Sequence, residues 1–150
     1  MPVIMQKSKR NCFDAALSFL SYRSRSEMEM RRKLKDLDYE DTEIDTVIEK
    51  LYYYRYLDDE SLANDLFDAY KKKKTYGDIY IHQKLKSRGL SSNRHLTEED
   101  EKKMASDLLR KKVSQNPSLL LNRRRAAAML MRRGFTTQAV MYALETVFDR

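Results

Sequence analysis

Residues that interrupt helices are scarce in this chain, which has only three glycines and two prolines among its 150 residues. No segment alternates regularly between apolar and polar residues, as a half-buried strand would. Apolar residues instead recur with the 3.6-residue period of a helix face, and 35% of all residues are charged. The shortage of helix breakers and the missing strand pattern predict an all-α protein.

Cysteine and long apolar segments are scarce as well. Cys12 is the single cysteine, so no internal disulfide can form, which fits a reducing compartment. No apolar run approaches the ~20 residues of a membrane span, and residues 1–5 are too short for the apolar part of a signal peptide. We therefore expect a soluble, cytoplasmic, monomeric protein in which residues 1–12 form a basic leader.

Motifs that carry catalysis or hold cofactors are also missing. The sequence has no glycine-rich phosphate loop, no paired Cys/His metal spacing and no nucleophile beside a base. His82 and His95 are isolated from each other and from other metal ligands, and helix capping accounts for Asp58 and Asp59. We therefore expect a binding protein and not an enzyme, with no catalytic residue, metal or cofactor.

The same helix ending occurs three times along the chain. In each copy a leucine is followed four positions later by a residue suited to the left-handed conformation, and a large apolar residue comes directly after that one. The residue suited to the left-handed conformation is Asp38 in the first copy, Gly89 in the second and Gly134 in the third. This is the pattern of a Schellman ending, in which the two apolar side chains meet. Asp38 is tolerated there because short polar side chains enter the left-handed region more easily than most.

Matching patterns on both sides of these endings predict a tandem repeat of three-helix units. Each ending is preceded by Ala-x-x-apolar-apolar and followed by a polar helix start. A small helix trio buries little by itself and gains its core from the next one. We place the repeats at residues 13–57, 58–97 and 98–150, with eight or nine helices in all.

The middle repeat is shorter than the first. Only 16 residues separate Gly89 from Ala105, whereas 25 separate Asp38 from Ala63. We therefore expect the third helix of the middle repeat to be truncated or replaced by a loop over residues 91–97.

Capping residues predict several helix starts. Ser26 and Glu29 have the spacing of a capping box, and Thr97 opens a later helix in the same way. Asn116-Pro117 predicts the start of one helix that continues through Leu130, because proline is favoured at the first helical position.

Positive charge is concentrated at the C-terminal end. Residues 102–150 contain 11 Lys/Arg against 3 Asp/Glu, a net charge of +8, whereas residues 1–57 carry +1 and residues 58–101 carry −2. Such asymmetry suggests a polyanionic partner for the last third of the chain. A basic, solvated face that serves only solubility is the alternative.

Two further clusters have both a structural and a functional interpretation. Lys71–Lys74 ends a helix, where cations complement the dipole, but four in succession also suit contact with phosphate or an acidic surface. The tyrosines of 52–56 surround Arg55 and could stack on bases; packing in helix interfaces with the hydroxyls in water is the favoured interpretation.

These stretches together resemble the RecX family, whose members regulate the RecA recombinase filament. The resemblance covers the chain from about residue 13 to the C-terminus. The matching stretches are residues 22–26 leading to Leu34, residues 56–60 with Ala63, Gly77 with Leu85 and Gly89-Leu90, and Arg133-Gly134-Phe135. The chain departs from the family at Asp38, where glycine is usual, and in the shortened region after Gly89.

The resemblance implies an elongated, curved all-α molecule built from tandem three-helix units. It also implies binding to RecA on single-stranded DNA, which restrains strand exchange, ATP hydrolysis and RecA-stimulated repressor cleavage in DNA repair and the SOS response. Double-stranded DNA is a further possible contact within the filament. Candidate contacts with RecA or DNA are Arg23, Arg25, Lys71, Lys72, Lys73, Lys74, Arg123, Arg124, Arg125, Arg132 and Arg133. A nucleic-acid binder without filament preference and a helical adaptor for another protein are the two alternatives.

Overall fold

The computed structural model describes residues 10–149. These residues form eight α-helices and one 3-10 helix and contain no strand, which confirms the all-α prediction. The helices are α1 Cys12–Tyr22, α2 Glu27–Asp36, α3 Asp41–Tyr53, α4 Asp59–Lys73, α5 Asp78–Ser87, α6 Glu98–Gln115, the 3-10 helix Pro117–Leu121, α7 Arg123–Arg132 and α8 Thr137–Phe148. Within this part of the chain no helix has both the length and the apolar character needed to cross a bilayer.

The described residues divide into two compact units. The first contains the residues up to Leu62 together with Arg88–Leu90, and the second contains Ala63–Ser87 and the residues from Ser91 onward. Residues 1–9, most of the predicted leader, lie outside the described residues. The leader prediction extends too far at its other end, because Asn11 caps α1 by accepting from the Asp14 N–H at 2.8 Å. The three-repeat boundaries stay a prediction.

The first unit is built on mutual packing of α1, α2 and α3. Its core contains apolar side chains that recur at helical spacing on each helix, including Met30, Leu34, Ile44, Ile48 and Leu51. A fully buried side chain of this size stabilises the fold by about 1.5–3 kcal/mol relative to an exposed one. The periodicity of α2 and α3 is therefore sufficient to orient both helices.

The second unit is dominated by the long helix α6, which packs along α8, with α7 and the 3-10 helix beside them. Its buried side chains alternate between large and small residues. Leu109, Leu130 and Phe135 fill the interior, while Ala126 and Ala143, both 0% exposed, leave room for neighbouring backbones.

The predicted left-handed helix endings are confirmed. Asp38, Gly89 and Gly134 have φ values of +65°, +74° and +80°. The Asp38 ending makes both Schellman hydrogen bonds, because Tyr39 N donates to Leu34 O at 3.3 Å and Asp38 N donates to Lys35 O at 2.9 Å. Gly134 and the residue after it repeat this pattern.

A fourth ending of this kind has no glycine signal in the sequence. Arg55 is left-handed at φ +61°, and Tyr56 N donates to Leu51 O at 2.8 Å after α3. Leu57, which follows, is buried. An arginine adopts this strained conformation because tertiary packing of Leu51 and Leu57 offsets a cost of about 1–2 kcal/mol.

The prediction of one continuous helix from Pro117 through Leu130 is wrong. The chain forms a 3-10 helix first, and α7 starts only at Arg123. Asn122 causes the break, because its side chain accepts from the Arg125 N–H at 3.0 Å and so caps a new helix. Asn116 makes no capping bond and instead accepts from the Ser118 hydroxyl.

The segment between α5 and α6 is a loop, at the place where the sequence predicts a truncated helix or a loop over residues 91–97. Residues 88–97 contain no helix. Side chains of α4 and α5 hold this loop: Arg94 pairs with Asp68 at 2.5 Å, and the Asp78 carboxylate accepts from the Leu96 N–H at 2.8 Å.

Candidate functional site

A basic groove of about 570 Å³ lies in the second unit, between the start of α5, the end of α6 and one face of α7. Arg125, Met129 and Arg132 line it from α7, because positions i, i+4 and i+7 share one helix face. Lys112 lines it from the last turns of α6. We refer to this surface as the α7 groove.

Cations dominate the α7 groove. Lys112, Arg125, Arg132 and Arg133 are among its ten lining residues, which include no aspartate or glutamate. No described carboxylate lies within 4.0 Å of the charged groups of these four side chains. Their charge is therefore available to an anionic ligand.

Two tyrosines form one wall of the groove. The rings of Tyr76 and Tyr80 are stacked, with centroids 4.2 Å apart and planes 7° from parallel. The Arg133 guanidinium lies 5.7 Å from the Tyr76 ring centroid, and the Lys84 ammonium lies 5.3 Å from that of Tyr80. The wall thus combines flat aromatic surface with positive charge, as in sites that bind single-stranded nucleic acid.

Backbone contacts between Gly77 and Gly134 position these groups. Gly77 N donates to Arg133 O at 2.8 Å, and Ile79 N donates to Gly134 O at 3.1 Å. A Cβ atom at Gly77 would lie 2.3 Å from the Gly134 carbonyl oxygen. The absence of side chains at both positions allows the segments that carry Tyr76 and Arg133 to approach each other.

The buried carboxylate of Glu101 joins two helix starts in the same unit. Its Oε2 accepts from Thr136 N at 2.9 Å and from Asp78 N at 3.3 Å. Burial raises the pKa of this carboxyl, and the two backbone hydrogen bonds oppose the rise without cancelling it. The sequence carries no signal for this role of Glu101, because its two partners lie 23 and 35 residues away along the chain.

Residues 12–51, which cover α1 and α2 and most of α3, match the family model for RecX, first three-helix domain. A protein named regulatory protein RecX from Bacillus velezensis is 39% identical over 84 residues, which are 56% of this chain and 32% of the relative. One from Halalkalibacterium halodurans is 32% identical over 89 residues, which are 59% and 34% of the two chains. The resemblance to the RecX family is confirmed.

The aligned segment thus spans about one third of the length of these curated RecX relatives. The crystal structure of RecX from Lactobacillus salivarius superposes with a TM-score of 0.79 and 21% identity, covering 92% of this chain and 94% of that one. The chain therefore has the RecX fold beyond the matched first domain. Only the fold follows from that structure.

In this RecX-like chain, the predicted arginines separate into two groups. Arg125, Arg132 and Arg133 line the α7 groove. Arg123 instead pairs with Asp149 at 3.0 Å and lies over the Phe148 ring. Arg124 is exposed and does not line the groove. Three consecutive arginines on a helix must point in different directions, which is why they separate.

Three of the four lysines at the end of α4 line a different surface, which has mixed charge. Lys71, Lys72 and Lys74 share it with three aspartates, and Lys71 lies 3.9 Å from Asp100. Lys73 turns away and lies 5.5 Å from the Tyr70 ring centroid. The neighbouring aspartates partly neutralise this cluster, so it is a weaker anion site than the α7 groove.

The remaining predicted contacts, Arg23 and Arg25, belong to the first unit. Arg23 lies 3.7 Å from the Glu29 carboxylate. The Nε atom of Arg25 is buried and has no hydrogen-bond partner among the described residues. Neither arginine lines the α7 groove.

The favoured interpretation of the tyrosines in 52–56 is wrong for most of them. Tyr53 is 81% exposed, and Tyr54 and Tyr56 are also exposed. The ring of Tyr54 contacts that of Tyr53 edge-on and that of Tyr56 at a tilt. These tyrosines lie outside the core, whereas Leu57, two residues after Arg55, is buried.

The prediction that the two histidines are isolated from each other is also wrong. The rings of His82 and His95 are stacked, with centroids 4.5 Å apart, and both face Asp78. The sequence could not reveal this arrangement, because it depends on the path of the loop 88–97.

Proposed function

We propose that this chain is a regulatory protein that binds the RecA recombinase filament on DNA and restrains its activity in recombination and DNA repair. The α7 groove is the observation that carries the proposal. It offers four cations and an aromatic wall without a single acid. The resemblance to proteins named regulatory protein RecX supplies the choice of partner.

The chemistry of the groove suits a phosphate backbone. Arg125 and Arg132 offer planar guanidinium groups that can bind phosphate oxygens with two hydrogen bonds each. Lys112 adds a compact third charge. The stacked Tyr76 and Tyr80 rings, with Arg133 over Tyr76, add an aromatic wall beside these charges. We infer that the groove contacts DNA exposed within the filament.

The direct test measures RecA ATP hydrolysis on single-stranded DNA while this protein is added in increasing amounts. We expect hydrolysis to fall as the protein saturates the filament. Unchanged hydrolysis at saturating protein would exclude inhibition, and co-sedimentation with the filament would then show whether any binding remains.

Two double variants with equal charge change assign the effect to the groove. Arg125→Gln/Arg132→Gln removes two groove cations, whereas Arg123→Gln/Arg124→Gln removes two from the same helix outside it. We expect only the first variant to lose inhibition. The slope of log K against log salt should become shallower by about 0.7 for each single-strand phosphate that the variant groove no longer binds. Equal effects of both variants would mean that net charge, and not the groove, determines binding.

The groove also supports a second function, binding of single-stranded nucleic acid without RecA. Fluorescence anisotropy with labelled single-stranded DNA, with and without RecA, separates the two. Filament regulation predicts much tighter binding when RecA coats the strand, whereas the second function predicts equal or weaker binding. Recovery of a different protein, and not RecA, in a pulldown from cell extract would favour the adaptor alternative.

A further inference from the structure

Three side chains with metal-binding chemistry meet at the start of α5, outside the α7 groove. Asp78 is the first residue of that helix, His82 follows one turn later, and His95 lies in the loop 88–97. His95 Nδ1 lies 2.8 Å from Asp78 Oδ2, and His82 Nε2 lies 3.6 Å from Asp78 Oδ1. One ligand atom from each residue falls within 4.8 Å of the other two.

Local structure fixes this arrangement on two sides. Asp78 and His82 lie four residues apart and therefore share one helix face. Asp78 Oδ1 accepts from the Leu96 N–H at 2.8 Å, which places the preceding residue, His95, against the helix. Behind them the buried ring of Phe67 lies 5.8 Å from the His82 ring centroid. The three side chains are thus brought together by a fixed backbone contact.

We propose that Asp78, His82 and His95 bind a divalent transition metal ion with the preferences of Zn²⁺. Two imidazoles and a carboxylate are ligands that Zn²⁺ takes at about 2.0–2.2 Å. Bonds of that length in a tetrahedron place neighbouring ligand atoms about 3.3 Å apart, which lies between the observed 2.8 and 3.6 Å. Closing the site requires side-chain movements that bring the three ligand atoms, which lie within 4.8 Å of one another, to that spacing.

A fourth oxygen is already adjacent. The Arg94 carbonyl oxygen lies 2.9 Å from His82 Nε2, so it can bind the ion directly or through water. A neutral imidazole that coordinates through Nε2 carries its proton on Nδ1, so the ion replaces any proton that His82 Nε2 shares with the Arg94 carbonyl. Ca²⁺ and Mg²⁺ are disfavoured because they prefer oxygen ligands in larger number.

The consequence for the molecule is a metal link between α5 and the loop 88–97. Binding to the folded state alone raises stability in proportion to the logarithm of ligand excess. Because the Asp78 N–H is bonded to Glu101, the link adds to the contacts that hold the start of α5.

Calorimetric titration of the full chain with Zn²⁺ tests the assignment. We expect one ion per chain, and His82→Gln and His95→Gln should each weaken binding by at least about tenfold, since removing a group that only hydrogen-bonds to a metal ligand can already cost that much. Asp68→Asn is the matched control, because it releases Arg94 in the same loop without removing a proposed ligand. Absent binding, unchanged affinity in both histidine variants, or an equally weakened control overturns the proposal.

Co²⁺ gives a second, direct readout. In His95→Cys a thiolate replaces the imidazole, so the Co²⁺ complex should gain a sulfur-to-metal charge-transfer band that the unmodified chain lacks. Buried Cys12 is present in both proteins and so serves as an internal control. Absence of the band from a variant whose circular dichroism is unchanged would overturn ligation by residue 95.

Discussion

The starts of α2 and α5 receive the same kind of partner, an arginine-glycine helix ending, but bind it with different groups. In the first unit the Ser26 hydroxyl donates to Arg88 O. In the second unit the backbone N–H of Gly77 donates to Arg133 O at 2.8 Å. One contact depends on a side chain, and the other depends on the absence of one.

The remaining amide groups of the two helix starts follow the same division only in part. In α2 the N–H groups of Ser26 and Glu27 donate to the carboxylates of Glu29 and Asp59 at 3.0 and 2.9 Å. In α5 the Ile79 N–H donates to the backbone carbonyl of Gly134 at 3.1 Å, but the Asp78 N–H donates to the Glu101 carboxylate at 3.3 Å. The comparison teaches that one geometric problem can be solved mainly by charged side chains, which titrate, or mainly by close backbone packing, which a single carboxylate supplements.

The largest effect is expected where backbone meets backbone. In Gly77→Ala the new Cβ atom would lie 2.3 Å from the Gly134 carbonyl oxygen. In Gly134→Ala it would lie 2.3 Å from the Tyr80 backbone nitrogen. Neither atom can move without disrupting the α5–α7 contact, so each change should lower the free energy of unfolding by about 3 kcal/mol or more. Chemical denaturation measures this.

The corresponding change in the first unit should cost less. A Cβ at Gly89 would meet the side chain of Met28, with the nearest atom at 2.6 Å. Met28 Sδ and Cε can rotate away, and only Met28 Cβ is held by the backbone of α2, whereas backbone atoms themselves are met at Gly77 and Gly134. Gly89→Ala should therefore cost about 2 kcal/mol, from this contact and from its left-handed φ. If Gly89→Ala destabilised the protein more than Gly134→Ala, the proposed contrast between the two endings would be wrong.

A smaller effect is expected from neutralising Glu29. Its carboxylate accepts from the Arg88 guanidinium at 2.9 and 3.0 Å and completes the capping box with Ser26. Glu29→Gln keeps an acceptor for the cap but removes the charge, so the protein should be destabilised by about 1–2 kcal/mol. Arg88→Gln should cost a similar amount, and the double variant should cost less than the sum. Strict additivity would show that the pair is not coupled.

The carboxyl groups of Glu29 and Glu101 should respond to pH in opposite directions. Burial opposes ionisation of Glu29, but Arg88 and the Ser26 N–H outweigh it and hold the pKa below its ordinary 4.5. The unfolded state then binds more protons, so this contribution to stability is present above pH 4.5 and is lost as the pH falls. Burial holds the Glu101 pKa above 4.5, so its contribution is favourable at low pH and is lost as the pH rises through the raised pKa.

Denaturation curves between pH 3 and 7, about the range in which carboxylates titrate, check this contrast. The Glu29→Gln variant should lose less free energy of unfolding than the unmodified chain as the pH falls. The Glu101→Gln variant should lose less than the unmodified chain as the pH rises towards neutral. Parallel curves for all three proteins would refute the contrast.

The smallest effect is expected at Asp38, the first of the three predicted endings. Asp38 is exposed and left-handed, so Asp38→Gly removes strain while adding freedom to the unfolded chain. These effects nearly cancel, and the change should be neutral or stabilising by less than about 1 kcal/mol. A clear loss of stability in a thermal melt would mean that the aspartate side chain stabilises the turn.

Features encoded locally were predictable from the sequence. The endings at Gly89 and Gly134 and the Ser26 capping box each involve residues within one or two helical turns, so their spacing identifies them. The left-handed turn at Arg55 was not predictable, because buried neighbours stabilise a conformation that arginine does not favour by itself.

The groove was only partly predictable, because its residues are distant in sequence. The charge count identified Arg125, Arg132 and Arg133, but Tyr76 and Lys112 join them only through tertiary packing of α5 and α6. The pairing of the Gly77 and Gly134 backbones, which positions that wall, depends on a close approach that no single-residue preference encodes.

The Gly77 contact also has a kinetic signature. An amide at the start of a helix has no intrahelical acceptor and usually exchanges its hydrogen with solvent quickly. The Gly77 amide is bonded to the Arg133 carbonyl and is buried, so it exchanges only when α5 and α7 separate. Its deuterium uptake therefore reports the opening of that contact, independently of fraying within either helix.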